Sequence, residues 1–322
     1  MYSPPITISN KIVDLCIRIS DLLGYAKGIN LPEPKLKLRK ENQIKTIQAT
    51  LAIEGNSFSV DQVTAMLDGQ RVKGNENEII EVKNTIVVYE RLHQWIPTRK
   101  SSMLKAHKLL MVHLLDNPGE WRSSSVGVIK GHQISHMAPP ADRVPFLMDD
   151  LLDYVTKDKE THVLIKACVF HYELLFIHPF IDGNGRMARL WQQLILINHN
   201  PVFRFVSIES LIKEHQKEYY RVLEKSDKSG ESTVFVEFAL GLIFSELDSL
   251  IRKLDRKRRT SEARIKQAAE HFGKQLFSRK DYLVYFDELS SATASRDLKK
   301  AVEQGILQKH GDKATTRYQF ED

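Results

Sequence analysis

HPFIDGNGRMAR, running from His178 to Arg189, is the stretch on which the reading of this chain turns. It sets one imidazole, one carboxylate, two glycines, an asparagine and two arginines directly behind KACVFHYELLFI (Lys166 to Ile177), a run suited to a core. The apolar run predicts a buried helix over Lys159 to Ile177. ARLWQQLILINH predicts another, starting at Gly185 or Arg186. A polar, flexible loop between two core helices puts its charges at the rim of the interior.

Outward from that loop the chain reads as mainly α. IVDLCIRISDLL (Ile12 to Leu23), IKTIQATLAI (Ile44 to Ile53), ENEIIEVKNTIVVYERLHQWI (Glu76 to Ile96) and SSMLKAHKLLMVHLL (Ser101 to Leu115) carry apolar residues at helical spacing. LPEPKLKLRKEN reads as a proline-marked connection. Asn117 to Pro145, rich in Gly, Pro and Ser around SVGVI, predicts an extended loop with a short hairpin. RVPFLMDDLLDYV returns to helix, and Glu209–Lys225 and Val234–Leu254 complete a helical core. From 255 onward three helical segments precede LQKHGDKATTRYQF, two β-like runs about Gly311 and Asp312, the element order of a winged helix-turn-helix. The expected division is a helical region over 1–100, a core over 101–254 and a small domain over 255–322.

The totals exclude several classes. A length of 322 residues with 42% hydrophobic and 27% charged content is ordinary for a soluble globular chain of two or three domains. Cys16 and Cys168 sit far apart in apolar patterns, which suits free thiols in a reducing compartment. The start, MYSPPITISNKIVDL, lacks the pattern of a secretory signal, and the best candidate span, FVEFALGLIF, is short and carries Glu237, so it reads as a core helix. A cytoplasmic protein without membrane contact is expected. Of the net charge of +6, +5 falls in Lys253 to Asp322. Thr293, Ser295, Arg296, Lys299 and Lys300, with Lys309, Lys313 and Arg317 on the wing, are the residues that would meet DNA; the same fold serves equally for protein contacts. There is no GxxxxGK[ST] loop, and His132, His136 and His171 form no metal-ligand pattern.

The central motif has a chemistry of its own. Gly183 and Gly185 around Asn184, ahead of a helix, let successive N–H groups converge with the positive end of the helix dipole on one anion. Arg186 and Arg189, three apart, share a face and can clasp phosphate oxygens. Asp182 at the edge suits Mg²⁺ held by one carboxylate and phosphate oxygens. His178 titrates near neutrality and can accept a hydroxyl proton. Each residue alone fits a helix-capping loop; together they are the parts of a phosphoryl-type transfer.

HPFIDGNGRMAR resembles, position for position, the HxFx(D/E)GNGRxxR signature of Fic-domain proteins. The resemblance implies a Fic-type helical bundle with a β-hairpin flap and transfer of AMP from ATP to a Ser, Thr or Tyr hydroxyl of a protein target, itself included. It makes His178 the general base, Phe180 the anchor of the loop and Asp182 the Mg²⁺ ligand. Gly183, Asn184 (side chain included) and Gly185 become the anion hole, and Arg186 and Arg189 the clamp on the β- and γ-phosphates. WRSSSVGVIKGHQISHMAPP is similar to the family's flap, with Val126, Gly127, Val128 and Ile129 as the strand that docks a target by main-chain pairing. EYYRVLEKSDKSGESTVFVEFAL is similar to the helix pair near the adenine, with Tyr219, Tyr220 and Asp227 as candidates.

TLAIEGN, Thr50 to Asn56, resembles the (S/T)xxxE(G/N) inhibitory motif of one Fic subclass. Glu54 would stand at a helix end, with Gly55 turning the chain away. Its carboxylate would occupy Arg189 and leave ATP badly aligned. Glu54 could also orient a water that removes AMP from a modified protein, and the sequence leaves both directions open. A different class of reading makes the domain a nucleotide sensor on a DNA-binding regulator; a sensor tolerates loss of His178, an enzyme does not. A homodimer, whose interface could hold the brake, is likewise left open.

Overall fold

The computed structural model describes residues 2–28, 36–130, 133–258, 260–287, 289–312 and 315–321. It divides into Met1–Leu250 and Ile251–Asp322. The first unit opens with α1 (Asn10–Gly28) and α2 (Leu36–Ile53). LKLRKEN, expected in a connection, belongs to α2: the last proline precedes it, and Leu, Lys, Arg and Glu favour helix. Residues 29–35 lie outside the described residues. α3 (Val60–Leu67) starts with a capping box between Ser59 and Gln62. α4 (Glu76–Glu90) is capped by the Asn75 side chain. α5 (Lys100–Met111) ends before the expected Leu115, where His113 turns left-handed at φ 63°.

The hairpin follows. β1 (Gly127–Lys130) pairs antiparallel with β2 (Gln133–Met137), Val128 opposite His136, with an irregular step between Val128 and Ile129. Val126 therefore stands just ahead of the strand expected to begin with it. α6 (Val144–Lys157) leads to α7 (Val163–Ile177). α7 starts four residues later than expected because Asp158 turns the chain: its carboxylate accepts the amides of Glu160 and Thr161, each at 2.8 Å. α7 is buried on nearly every face and packs along α8 (Asn184–His199), so these two helices are the core and the polar motif is their joint. The expected Glu209–Lys225 helix is two helices, α9 (Ile208–Glu214) and α10 (Gln216–Ser229), separated at His215. α11 (Thr233–Arg258) comes next. α2 packs on α4, α8 and α9, which carries its C-terminal end to the motif.

In the second unit α12 (Ser261–Phe272), α13 (Arg279–Tyr285) and α14 (Ser291–Glu303) precede β3 (Leu307–His310) and β4 (Arg317–Phe320), an antiparallel pair that adds a bridge from Tyr318 to Phe277. Its core gathers Ile265, Ala268, Phe277, Tyr282, Leu298 and Leu307. Beneath α14 a buried ion pair joins Arg264 to Asp297, to which the Tyr282 hydroxyl also donates. Among the described residues no helix is long and apolar enough to cross a membrane.

Candidate active site

His178 caps α7 in a left-handed conformation, φ 51° and ψ 58°, uncommon for a residue with a side chain. Its amide still donates to Leu174 O at 3.0 Å, and its Nδ1 lies 3.3 Å from Leu175 O. A carbonyl only accepts, so Nδ1 carries the hydrogen there and Nε2 is the basic nitrogen.

The loop that follows is held from below. Phe180 is fully buried and stacks on His107, ring centres 3.6 Å apart and nearly parallel, with Trp121 at 4.9 Å. His107 Nδ1 accepts the Gly119 amide at 2.9 Å, which leaves Nε2–H to donate to Asp182 O at 3.0 Å. Burial pushes the His107 pKa down to about 4, so the ring is neutral and this tautomer is fixed. Gly183 sits at φ 84°, and a β-carbon there would crowd the Met111 sulfur.

The Asn184 side chain is not free for the anion hole that the motif predicts, because both of its polar ends are used on Phe180: Oδ1 accepts the Phe180 amide and Nδ2 donates to the Phe180 carbonyl, each at 2.9 Å. Asn184 is a brace across the loop, which leaves main chain at the start of α8 as the group that could meet an anion.

Both arginines of the motif are buried and paired. Arg189 is 3% exposed and donates to Thr50 Oγ1 at 2.9 Å, Thr50 O at 3.1 Å and Glu54 Oε1 at 2.6 Å. The Glu54 carboxylate rests over Gly185, in the space that a β-carbon would take. The pKa of Arg189 is raised despite its burial, chiefly by Glu54. Glu54 itself follows the last turn of α2, where Gly55 turns left-handed at φ 94° and donates to Ala52 O. Arg186 pairs with Glu81 at 3.1 Å and Asp182 at 3.5 Å. Glu81 accepts from Asn56 through its other oxygen at 2.9 Å. Two carboxylates, one just past the end of α2 and one on α4, thus hold the two arginines of α8. The Asp182 side chain is 62% exposed and accepts the Gly183 amide at 2.6 Å.

The remaining candidates separate. Tyr219 is 2% exposed, and its hydroxyl meets His171 Nε2 at 3.0 Å inside the core. His171 Nδ1 faces Gln192 Oε1, so that nitrogen holds the hydrogen and Tyr219 donates to Nε2. Tyr219 is a core residue and not an open binding surface. Tyr220 is 39% exposed, with its hydroxyl 3.4 Å from Ile53 O, where Gln216 Nε2 also donates at 3.0 Å. α10 therefore grips the end of α2. Asp227 accepts the Tyr172 hydroxyl at 3.0 Å. Gly127, Val128 and Ile129 lie in the hairpin. His132 and Lys313 lie outside the described residues. In the second unit Ser295 accepts from Arg279, Lys299 and Lys300 pair with Glu303 and Glu262, and Arg296 is exposed.

Glu81, His107, Arg122 and Gln216 escaped the sequence reading. Only Glu81 left a trace, as an acidic residue interrupting the apolar stripe of α4; the other three act through folded contacts that no local pattern encodes.

Residues 97–196 match the model of the Fic/DOC family. A Fic family protein from Desulfovibrio desulfuricans G20 is similar over 99% of this chain and 98% of its own, with 38% identity and a TM-score of 0.75. The chain belongs to the Fic family. Fic-1 from C. elegans shares the fold, with a TM-score of 0.62 at 22% identity, covering 76% of this chain and 73% of that one. A relative named protein adenylyltransferase Fic, from Drosophila willistoni, is 26% identical over 226 residues, 66% of this chain and 42% of that relative. The chain thus spans less than half the length of this and the similarly named relatives.

Proposed function

We propose that this protein transfers AMP from ATP to a Ser, Thr or Tyr hydroxyl of a protein, itself included, and that Glu54 restrains the transfer. One juxtaposition carries the reading: His178, with Nε2 as its basic nitrogen, stands on the same short loop as the glycine-lined start of α8 and two buried arginines. The names of the curated relatives support AMP as the transferred group.

In the transfer the target hydroxyl oxygen attacks the α-phosphorus while its proton passes to Nε2 of His178. The bond from the α-phosphorus to the bridging oxygen breaks, and pyrophosphate leaves with that electron pair. The main-chain N–H groups at the start of α8 meet the charge that develops on the phosphate oxygens. Arg186 and Arg189 hold the outer phosphates and so set the line of attack. Asp182 suits Mg²⁺, since its carboxylate is exposed and a single carboxylate with phosphate oxygens satisfies that ion. An ion held there would offset phosphate charge. The hairpin offers main-chain groups to an extended target segment.

Restraint by Glu54 rests on occupancy. Arg189 cannot keep its 2.6 Å contact to Glu54 and also give the same N–H to a phosphate.

The test supplies ATP labelled at the α- or the γ-phosphate to the parent protein, Glu54→Gly and His178→Ala. Protein-bound α-label that rises with Glu54→Gly and vanishes with His178→Ala is the expected result. γ-Label on protein overturns AMP transfer. If no variant carries label, the parent is offered an AMP-modified protein, and release of AMP shows the reverse direction at the same site.

A further inference from the structure

Arg122 lies five residues ahead of β1 and is 3% exposed, yet among the described residues its guanidinium hydrogen-bonds to no carboxylate. All its partners are main-chain carbonyls. Nε donates to His178 O at 2.7 Å, one terminal nitrogen to Ser124 O at 2.8 Å, and the other to Pro139 O at 2.5 Å and Ile177 O at 3.3 Å. The Arg122 amide donates to Pro179 O at 2.9 Å. A buried cation is tolerated here because Ile177 and His178 present the carbonyl end of α7, the negative pole of its dipole.

These contacts join two parts of the molecule. His178 O and Pro179 O belong to the two peptides after the left-handed turn, so fixing them fixes the direction in which the imidazole leaves the chain. Ser124 and Pro139 flank the two strands of the hairpin, one before β1 and the other after β2. A planar guanidinium has donors at fixed angles and can hold all these carbonyls in one frame; a lysine ammonium, a single point of charge, cannot. Arg122 touches neither arginine of the cradle, nor Asp182, nor Glu54.

We infer that Arg122 is a positioning residue that locks the His178 main chain and the base of the hairpin into one rigid frame, setting the distance from the base to the docked hydroxyl. The catalytic consequence rests on the AMP-transfer reading; the mechanical one does not.

The experiment therefore has two readouts on the full chain. Arg122→Lys and Arg122→Gln are compared with the parent by hydrogen exchange. Exchange is expected to rise in residues 123–140 and in residues 175–184 together, with α4 and α11 unchanged. In the Glu54→Gly background the same substitutions are expected to lower kcat for AMP transfer about 10- to 100-fold, the scale of a small misplacement. The KM for ATP stays within about twofold, because the cradle is untouched. A rise in exchange confined to one segment, or spread evenly over the chain, overturns the inference, as does a KM for ATP that climbs in step with the loss of kcat. If Glu54→Gly itself transfers no AMP, the AMP-transfer reading fails and exchange alone decides the role of Arg122. If Arg122→Gln does not fold, Arg122→Lys, which keeps charge and length, decides it.

Discussion

The Glu54 carboxylate lies 2.6 Å from the Arg189 guanidinium and directly over Gly185. One side chain thereby occupies both the Arg189 guanidinium and the space above Gly185, the two places that the proposed function gives to phosphate. Glu54→Gln should separate the two effects: it keeps the volume over Gly185 and removes the ion pair. AMP transfer is expected in the order Glu54→Gly, Glu54→Gln, parent, with the first about 10- to 100-fold above the last. Initial rates of α-label incorporation check it; equal rates for all three would remove Glu54 from the account.

Thr50 is the second support of Arg189, through its hydroxyl at 2.9 Å and its carbonyl at 3.1 Å. Thr50→Val keeps the shape and strands the Nε–H in the interior. A loss of about 1–3 kcal/mol of stability is expected, the cost of an unsatisfied buried donor. Denaturant unfolding measures it. Transfer should rise less than with Glu54→Gly, because the carboxylate remains.

Glu209 gives a pH signature. It is buried in α9, with Oε1 accepting the Tyr89 hydroxyl at 3.1 Å and Oε2 buried without a partner among the described residues. Burial pushes its pKa up to about 7, against an opposing pull from Arg189. The folded chain therefore holds this proton between about pH 4.5 and 7 while the unfolded chain has lost it, so the Glu209 contribution to stability falls as pH rises through that window and then levels. Glu209→Gln keeps the Tyr89 contact and removes the titration. The stability difference between variant and parent should grow from pH 5 to pH 7, by on the order of 1–3 kcal/mol. A constant difference over that range contradicts the assignment.

In the second unit the Arg264–Asp297 pair should matter more than any surface contact there. Both groups are buried, and removing one leaves the other uncompensated. Asp297→Ala is expected to cost about 3–5 kcal/mol. Hydrogen exchange over residues 261–312 should accelerate sharply. Lys299→Ala, which breaks an exposed pair with Glu303, should leave it unchanged.

The place of the candidate site was readable because its motif is written in twelve consecutive residues between two apolar runs, which became α7 and α8. The helices came through for the same reason, with errors where one side chain decides a boundary: Asp158 delays α7, and His113 ends α5 early. What stayed hidden depends on residues far apart in the chain. Glu81 reaches Arg186 across 105 positions and Arg122 reaches His178 across 56. Asn184 was misread for the opposite reason, since its partner is only four residues back and a local brace looks the same in sequence as a ligand donor. Tyr219 and Tyr220 are adjacent and chemically alike, and only the rotation of α10 sends one inward and the other outward.

Gln216 and Tyr220 both hold the carbonyl of Ile53, one residue before Glu54. Neither belongs to the loop that would carry out the reaction. If Glu54 restrains transfer as proposed, substitutions at these two positions would loosen or tighten its hold on Arg189 while the reacting groups stay as they are. On that proposal, closely similar chains would diverge in basal output while sharing an unchanged motif.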